Sequence, residues 1–318
     1  MSGATFLFVN VKFSSKLGIL PLTAKRKRPF LHFRGGREGS ACHILCFLLP
    51  PLPYKDVILQ RYIIHHLMTI PASEIFDRTE RLLGSDALQR LHDQRVLLLG
   101  VGGVGSWCAE GLVRSGIGHL TMVDPDSVNA SNINRQLMAT TLSVGEPKAE
   151  ALRSRLAAIN PHADITAVTK PYNQQTCSDF DLNDYDFVID AIDSLQDKAL
   201  LILNATAARC YFFSSMGAAL KLDPQKIRVA EFWKAEGCPL ARALRKRFRR
   251  NKTYPARKFQ CVYSPEVQPN RGEGSAPSAL SYSDPLKAQV NGSMVHITAV
   301  FGFTLSALVV NNIVAEQH

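Results

Sequence analysis

The chain has 318 residues, 46% of them hydrophobic and 20% charged, with a net charge of +10. That is enough apolar material for one large or two small packed domains, and it excludes a disordered or fibrous chain. The charge is local: residues 1–67 hold ten basic and two acidic residues, 242–258 hold nine basic and none acidic, and the remainder is net acidic.

Residues 1–67 carry Lys25–Arg28 and an apolar patch at 46–53, without an amphipathic period. Three readings compete for this basic extension. It is an organelle transit peptide (no acid precedes Glu38), a disordered arm, or sequence ahead of a natural start at Met68. The last is favoured, because Met68-Thr-Ile-Pro-Ala reads as a short N-terminus. His65 and His66 are adjacent and point apart on a helix or a strand, so they make a poor metal pair.

Val96–Leu99 is a short apolar run expected to form a strand covered on both faces. Gly100, Gly102 and Gly105, with Gly103 between them, fit G-x-G-x-x-G, and Ser106–Ser115 continues as a helix with Cys108, Ala109, Leu112 and Val113 on one stripe. Such a loop turns sharply and brings backbone N–H groups against phosphate at a helix N-terminus. A nicotinamide or flavin site is its usual meaning. Leu120–Asp124 reads as a second strand ending in an acid suited to ribose hydroxyls, with Asp126 just beyond. Then come Asn132, Asn134, Arg135 and Gln136, next Lys148, and finally Asp193 at the end of a strand begun at Phe187. A dinucleotide enzyme needs no arginine, lysine and third acid at one sheet edge. A triphosphate does: Arg135 and Lys148 neutralise phosphate and Asp193 holds Mg²⁺.

Glu146–Ile159 is a predicted helix with Pro147 in its first turn, stopped by Asn160-Pro161. Further strands are expected at Ile165–Val168, Tyr211–Ser214, Ile227–Phe232 and from Cys261, which implies an α/β fold with a Rossmann-like, mainly parallel sheet flanked by helices. Residues 266–291 read as a loop rich in Pro, Gly and Ser. Residues 292–318 form an apolar C-terminal helix long enough for a membrane span, but polar residues from Ser293 to Asn312 interrupt it. A buried or dimer-interface helix is favoured over membrane-surface association.

Gly100–Gly105, Asp124, Asp126, Asn132–Gln136, Lys148 and Asp193 together resemble the adenylation domain of E1-like enzymes, and Phe76-Asp-Arg78-Thr-Glu-Arg81-Leu-Leu-Gly84 matches as well. The resemblance covers about residues 72–265 and sets the ATP-binding domain at 68–265. It implies that Asp124 binds ribose, Arg135 and Lys148 grip phosphate, Asp193 binds Mg²⁺, and Arg78 reaches into the partner's site of a homodimer. Activators of sulfur-carrier proteins in this family usually hold zinc in two C-x-x-C pairs. The seven cysteines here form none, so no structural zinc is expected and a reducing, cytoplasmic setting is.

The basic run Arg242, Arg245, Lys246, Arg247, Arg249, Arg250, Lys252 suits an RNA backbone, with Phe248 and Tyr254 available for stacking. A solvated helix face is the plainer alternative. With Cys261-Val-Tyr-Ser-Pro-Glu266 and Ser214–Ile227, the run resembles the tRNA threonylcarbamoyladenosine dehydratase branch, whose version of the 214–227 loop is often richer in glycine. That branch implies ATP-dependent cyclisation of the modified adenosine through an acyl-adenylate, and by resemblance a sulfur-transfer or cysteine-desulfurase-type partner. The alternatives are activation of a carrier protein's Gly-Gly tail, a silent RNA- or partner-binding module, and an NAD-dependent oxidoreductase. Cys261 is either a thioester nucleophile activated by neighbouring cations or a small apolar residue starting a strand. The second is favoured, since ring closure within the substrate needs no relay.

Overall fold

The computed structural model describes residues 70–272 and 291–315, all within one compact unit spanning 64–318. Short helices α1 (Ala72–Ile75), α2 (Asp77–Leu83) and α3 (Ser85–Asp93) lead into β1 (Arg95–Leu99), α4 (Gly105–Ser115) and β2 (His119–Val123). The chain continues through α5 (Lys148–Ile159), β3 (Asp164–Val168), β4 (Phe187–Asp190), α6 (Leu195–Ala207), β5 (Tyr211–Ser215) and β6 (Arg228–Glu231). It ends in α7 (Pro239–Asn251), β7 (Gln260–Tyr263) and α8 (Val295–Ala315). The described strands form one seven-stranded sheet in the order β3-β2-β1-β4-β5-β7-β6. All neighbours are parallel except β6, which runs antiparallel to β7.

The period of two in β1 divides the core. Val96 and Leu98 face the layer of α4, α5 and α8, whereas Leu97 and Leu99 face α6 and α7. All four are fully buried. The expected apolar stripe of α4 is in place: Cys108, Ala109, Leu112 and Val113 are solvent-free. Buried Glu110 ties α4 to α5 through Arg155, 2.9 Å away, and bonds Arg114 on its own helix at 2.8 Å.

The C-terminal helix α8 is apolar and, by length and composition, long enough to cross a membrane. Ile297, Phe301, Leu305, Val309 and Ile313 pack at helical spacing into the core on α4. The extension 1–67 lies outside the described residues, as do 273–290 of the expected loop and 316–318.

Two boundaries differ from expectation. The Pro147 helix begins at Lys148, with Pro147 as its N-cap. Strand β4 ends at Asp190 rather than at Asp193, because the Asp190 carboxylate accepts the Ile192 N–H at 3.0 Å and turns the chain.

Candidate active site

In an open parallel sheet, ligands bind outside the carboxyl ends of the strands where the order reverses. Here that point is the end of β1, flanked by β2 and β4. Gly100 leaves β1 with φ +86°, and a Cβ there would lie 2.7 Å from the Ala191 carbonyl oxygen, so only glycine suits the turn. The next N–H, of Val101, donates to Asp124 Oδ2 at 2.8 Å. Asp124 Oδ1 accepts the Asp126 N–H at 3.0 Å. One buried carboxylate at the end of β2 therefore fixes both the glycine loop and the segment after β2. Burial pushes the Asp124 carboxyl up, and the nearby Lys148 ammonium opposes that shift.

Lys148, on the first turn of α5, is buried and pairs with Asp126 Oδ2 at 2.8 Å. Its backbone N–H donates to the Asp126 carbonyl at 2.9 Å. The ammonium therefore sits beside Asp124 and Asp126 at the mouth of the glycine loop. Arg135 runs past Gly103, its Cγ 3.5 Å from where a Cβ would stand. Its guanidinium donates to the Ser131 carbonyl at 3.0 Å and to Asn134 Oδ1 at 2.9 Å. Asn134 in turn donates to the Ser293 carbonyl at 3.1 Å, just ahead of α8. Trp107 donates its indole N–H to the Arg135 carbonyl at 3.1 Å and packs edge-on against Phe303.

These features fit a bound nucleoside triphosphate. A Cβ on Gly102 would find its nearest atom, Gln136 Nε2, at 3.7 Å, so the loop leaves open space at its tip. Gln136 is buried beside it, its Nε2 toward Gly102 and its Oε1 lacking a hydrogen-bond partner, so the side chain has free hydrogen-bonding capacity next to the loop. Asp193 is exposed three residues beyond β4. Among the described residues no three His, Cys, Asp or Glu side chains cluster as a protein cage for a metal. Mg²⁺ needs no such cage when one carboxylate and the nucleotide phosphates share it.

Beneath this edge lies a network that sequence reasoning missed. Lys198 on α6 is fully buried, its ammonium 2.8 Å from Asp190 Oδ2 and 2.8 Å from the Ile192 carbonyl. Ser214 donates to the same carboxylate at 2.6 Å. Beyond β5, Leu220 adopts φ +59°. Its N–H donates to the Gly292 carbonyl and its own carbonyl accepts from Gln268. His296 of α8 is 2.9 Å from the Leu222 carbonyl, so α8 touches both the Asn134–Arg135 segment and this loop.

Other candidates lie apart. Arg78 is on α2, exposed, and 22 residues ahead of the glycine loop in the chain. Cys261 is fully buried on β7 among Phe212, Cys238 and Leu244, and burial pushes its thiol up to about 12. That burial weighs against the thioester relay and supports the apolar reading of this strand residue. Phe248 is likewise buried and cannot stack on a base. Arg242, Lys246, Arg249, Arg250 and Lys252 are exposed along α7 and its end, while Arg245 and Arg247 are partly buried. Arg245 is tied back to the Phe232 carbonyl at 2.9 Å.

Comparison with known proteins decides the lineage of this site. The ThiF family model matches residues 76–312. The chain belongs to the ThiF family. Among its curated relatives, the tRNA threonylcarbamoyladenosine dehydratase of Haemophilus influenzae is 34% identical over 74% of this chain and 92% of its own length. The dehydratase of Bacillus subtilis is 39% identical over 55% of this chain and 69% of its own length. The crystal structure of Escherichia coli tRNA N6-threonylcarbamoyladenosine dehydratase, TcdA, in complex with ATP superposes with a TM-score of 0.68 at 32% identity, covering 79% of this chain and 98% of that one. The molybdopterin-synthase adenylyltransferase of Escherichia coli is similar over a shorter stretch, 33% identical over 52% of this chain. The seven-stranded, mostly parallel sheet follows the same fold as the ATP-bound structure.

Proposed function

We propose that the chain is an ATP-dependent tRNA threonylcarbamoyladenosine dehydratase acting at position 37 of tRNA. The observation that carries this reading is the glycine loop locked to Asp124 with Lys148 at its mouth, in a chain whose full-length relatives bear that name. The substrate carboxylate, itself a poor electrophile, attacks the α-phosphorus of ATP and releases pyrophosphate. The resulting mixed anhydride with AMP is then attacked at its carbonyl by the substrate's own ureido group. The ring closes, AMP leaves with the former carboxylate oxygen, the ureido proton passes to solvent, and the tRNA is lighter by one water.

The residues supply positioning and charge. The loop N–H groups of Gly102, Gly103 and Gly105 and the side chain of Gln136 face the nucleotide, with Asn134 beside them, and Asp124 takes ribose. Lys148 exchanges Asp126 for phosphate and Arg135 swings from Asn134 to the same charge. Mg²⁺, held by Asp193, would neutralise the phosphates. Arg78 completes the site of a second copy in a homodimer, and the exposed cations of α7 contact the tRNA backbone. A cytoplasmic setting is part of the same reading. A sulfur-transfer partner and a membrane surface beside α8 are weaker parts of the same reading. Activation of a carrier protein's Gly-Gly tail is the second reading, and the shorter match to adenylyltransferases disfavours it.

The test uses the full chain with ATP and either tRNA bearing threonylcarbamoyladenosine or the unmodified transcript. AMP and pyrophosphate released only with modified tRNA, with the nucleoside lighter by one water, is the expected result. Turnover indifferent to tRNA but dependent on a Gly-Gly-tailed carrier would replace this reading with the second.

A further inference from the structure

Helix α7 runs from one edge of the sheet to the other. At its start, Leu240 lies against Gly217, which follows β5, and Gly237 lies against Pro265, which follows β7. These are carboxyl ends of parallel strands, the edge that carries the glycine loop. Beyond its end, Ala256 donates to Thr206 at 3.1 Å, and Arg257 caps the carbonyls of Ala205, Ala208 and Cys210. That is where α6 stops and β5 begins, the opposite edge. Thirteen helical residues span about 20 Å. Arg242, Lys246, Arg249 and Arg250 repeat at helical spacing along the outer face between these ends, opposite buried Ala241, Leu244 and Phe248.

The far end carries something a plain cationic face lacks. The guanidinium of Arg249 sits 5.8 Å over the ring of Trp233. The Trp233 ring is 6.2 Å from that of Tyr254, tilted by 41°. Tyr254 is 54% exposed. An exposed tyrosine beside an arginine-covered indole, at the end of a run of cations, matches how proteins hold unpaired nucleotides: phosphates on the cations, a base on the aromatic face. A duplex offers its phosphates but no free base face.

We propose that Trp233, Arg249 and Tyr254 form a stacking platform for an unpaired base of the RNA, at the end of α7 away from the sheet edge that carries the glycine loop. It makes the cationic face selective for single-stranded or looped RNA over duplex. This rests on the tRNA reading and assigns that substrate a second contact point. Because the platform is remote from the glycine loop, it holds a neighbouring nucleotide rather than the modified one.

Binding of unmodified tRNA and of a fully paired RNA duplex by the full chain, each titrated at several salt concentrations, tests it. Tyr254→Ala should weaken tRNA about 5- to 100-fold, the loss of one stacked base, with the slope of log K against log salt unchanged and duplex binding unaffected. Tyr254→Phe should bind as the wild type. Arg250→Gln should weaken both RNAs and lower the slope by about one. Tyr254→Ala binding tRNA normally, or losing duplex in equal measure, would overturn the platform and leave the tRNA reading standing. So would polyglutamate competing as well as tRNA, since that marks an acidic-protein surface. Failure of the wild type to bind any RNA at low salt would remove both.

Discussion

Lys198 and Asp190 form an ion pair of 2.8 Å in which neither side chain touches solvent. Around it, the Ile192 N–H is held by Asp190 and the Ile192 carbonyl by Lys198. Both peptide groups preceding Asp193 are thereby pinned from below, and Ala191 is pressed against the glycine loop. A buried pair contributes little net stability over an apolar substitute, but removing one partner strands the other charge. Lys198→Met should therefore cost about 3–5 kcal/mol in urea unfolding, and Asp190→Asn with Lys198→Met should recover part of that loss. The double variant should still release AMP slowly, because the Ile192 carbonyl has lost the Lys198 ammonium that held it. Wild-type turnover in a stable double variant would show that the pair does not position the Asp193 loop.

Helix α8 reaches α4 through Gly302. A Cβ there would stand 2.5 Å from the Val104 carbonyl oxygen and 2.7 Å from both the Cys108 nitrogen and Trp107 Cβ. Replacing a helical glycine by alanine ordinarily gains about 0.4–1 kcal/mol. Here the sign should reverse, with Gly302→Ala losing about 1–3 kcal/mol or more from overpacking. It should also loosen Asn134 and Arg135, whose contacts run to the start of α8. Thermal unfolding and hydrogen exchange at residues 132–137 would measure both effects. Unchanged stability would mean that the helices separate without cost.

Burial of Cys261 raises its thiol to about 12 and disfavours the thiolate near neutral pH. Cys261→Ala should keep AMP release and dehydration within about threefold while costing about 1 kcal/mol of core packing. In the native chain a thiol reagent should leave this cysteine unmodified until denaturant is added. Loss of turnover in a folded Cys261→Ala variant would reinstate the thioester relay.

The glycine loop and its neighbours were legible because two periods announce them: an apolar run with period two, then a stripe at helical spacing beginning at Gly105. Asp124 and Lys148 could be placed because each sits within a residue of an element boundary. Lys198 was not legible, since a lysine early in a helix reads as solvated and only the fold shows that α6 turns it inward onto Asp190. Phe248 completes the 241–244–248 spacing of a buried stripe, a signal outweighed by the surrounding cations. Trp233 sits in a short 3-10 turn after an edge strand, with no periodic context to mark it. Arg257 resembles its basic neighbours in sequence yet serves as the cap of α6.

Glu266 closes the loop that follows β5 and gives it a pH dependence. Its carboxylate accepts from Gln268 Nε2 at 2.8 Å and from the Leu222 and Asp223 N–H groups at 3.0 Å each. Those bonds favour the charged form and hold the carboxyl down from 4.5 to about 2. Because the folded pKa is the lower one, the unfolded chain takes up this proton first as pH falls. The stability Glu266 contributes is complete above about 4.5 and drains away as pH drops toward about 2. Glu266→Gln should therefore be less stable than the wild type near neutrality, and the gap should narrow across that acid window. At neutral pH the variant should also show faster amide exchange at Leu222 and Asp223, whose N–H groups lose a charged acceptor. Urea midpoints at a series of pH values give the comparison. Parallel profiles for the two proteins would mean that Glu266 carries no such linkage and that Lys221, whose ammonium donates to the Glu266 carbonyl at 2.5 Å, holds the loop without it.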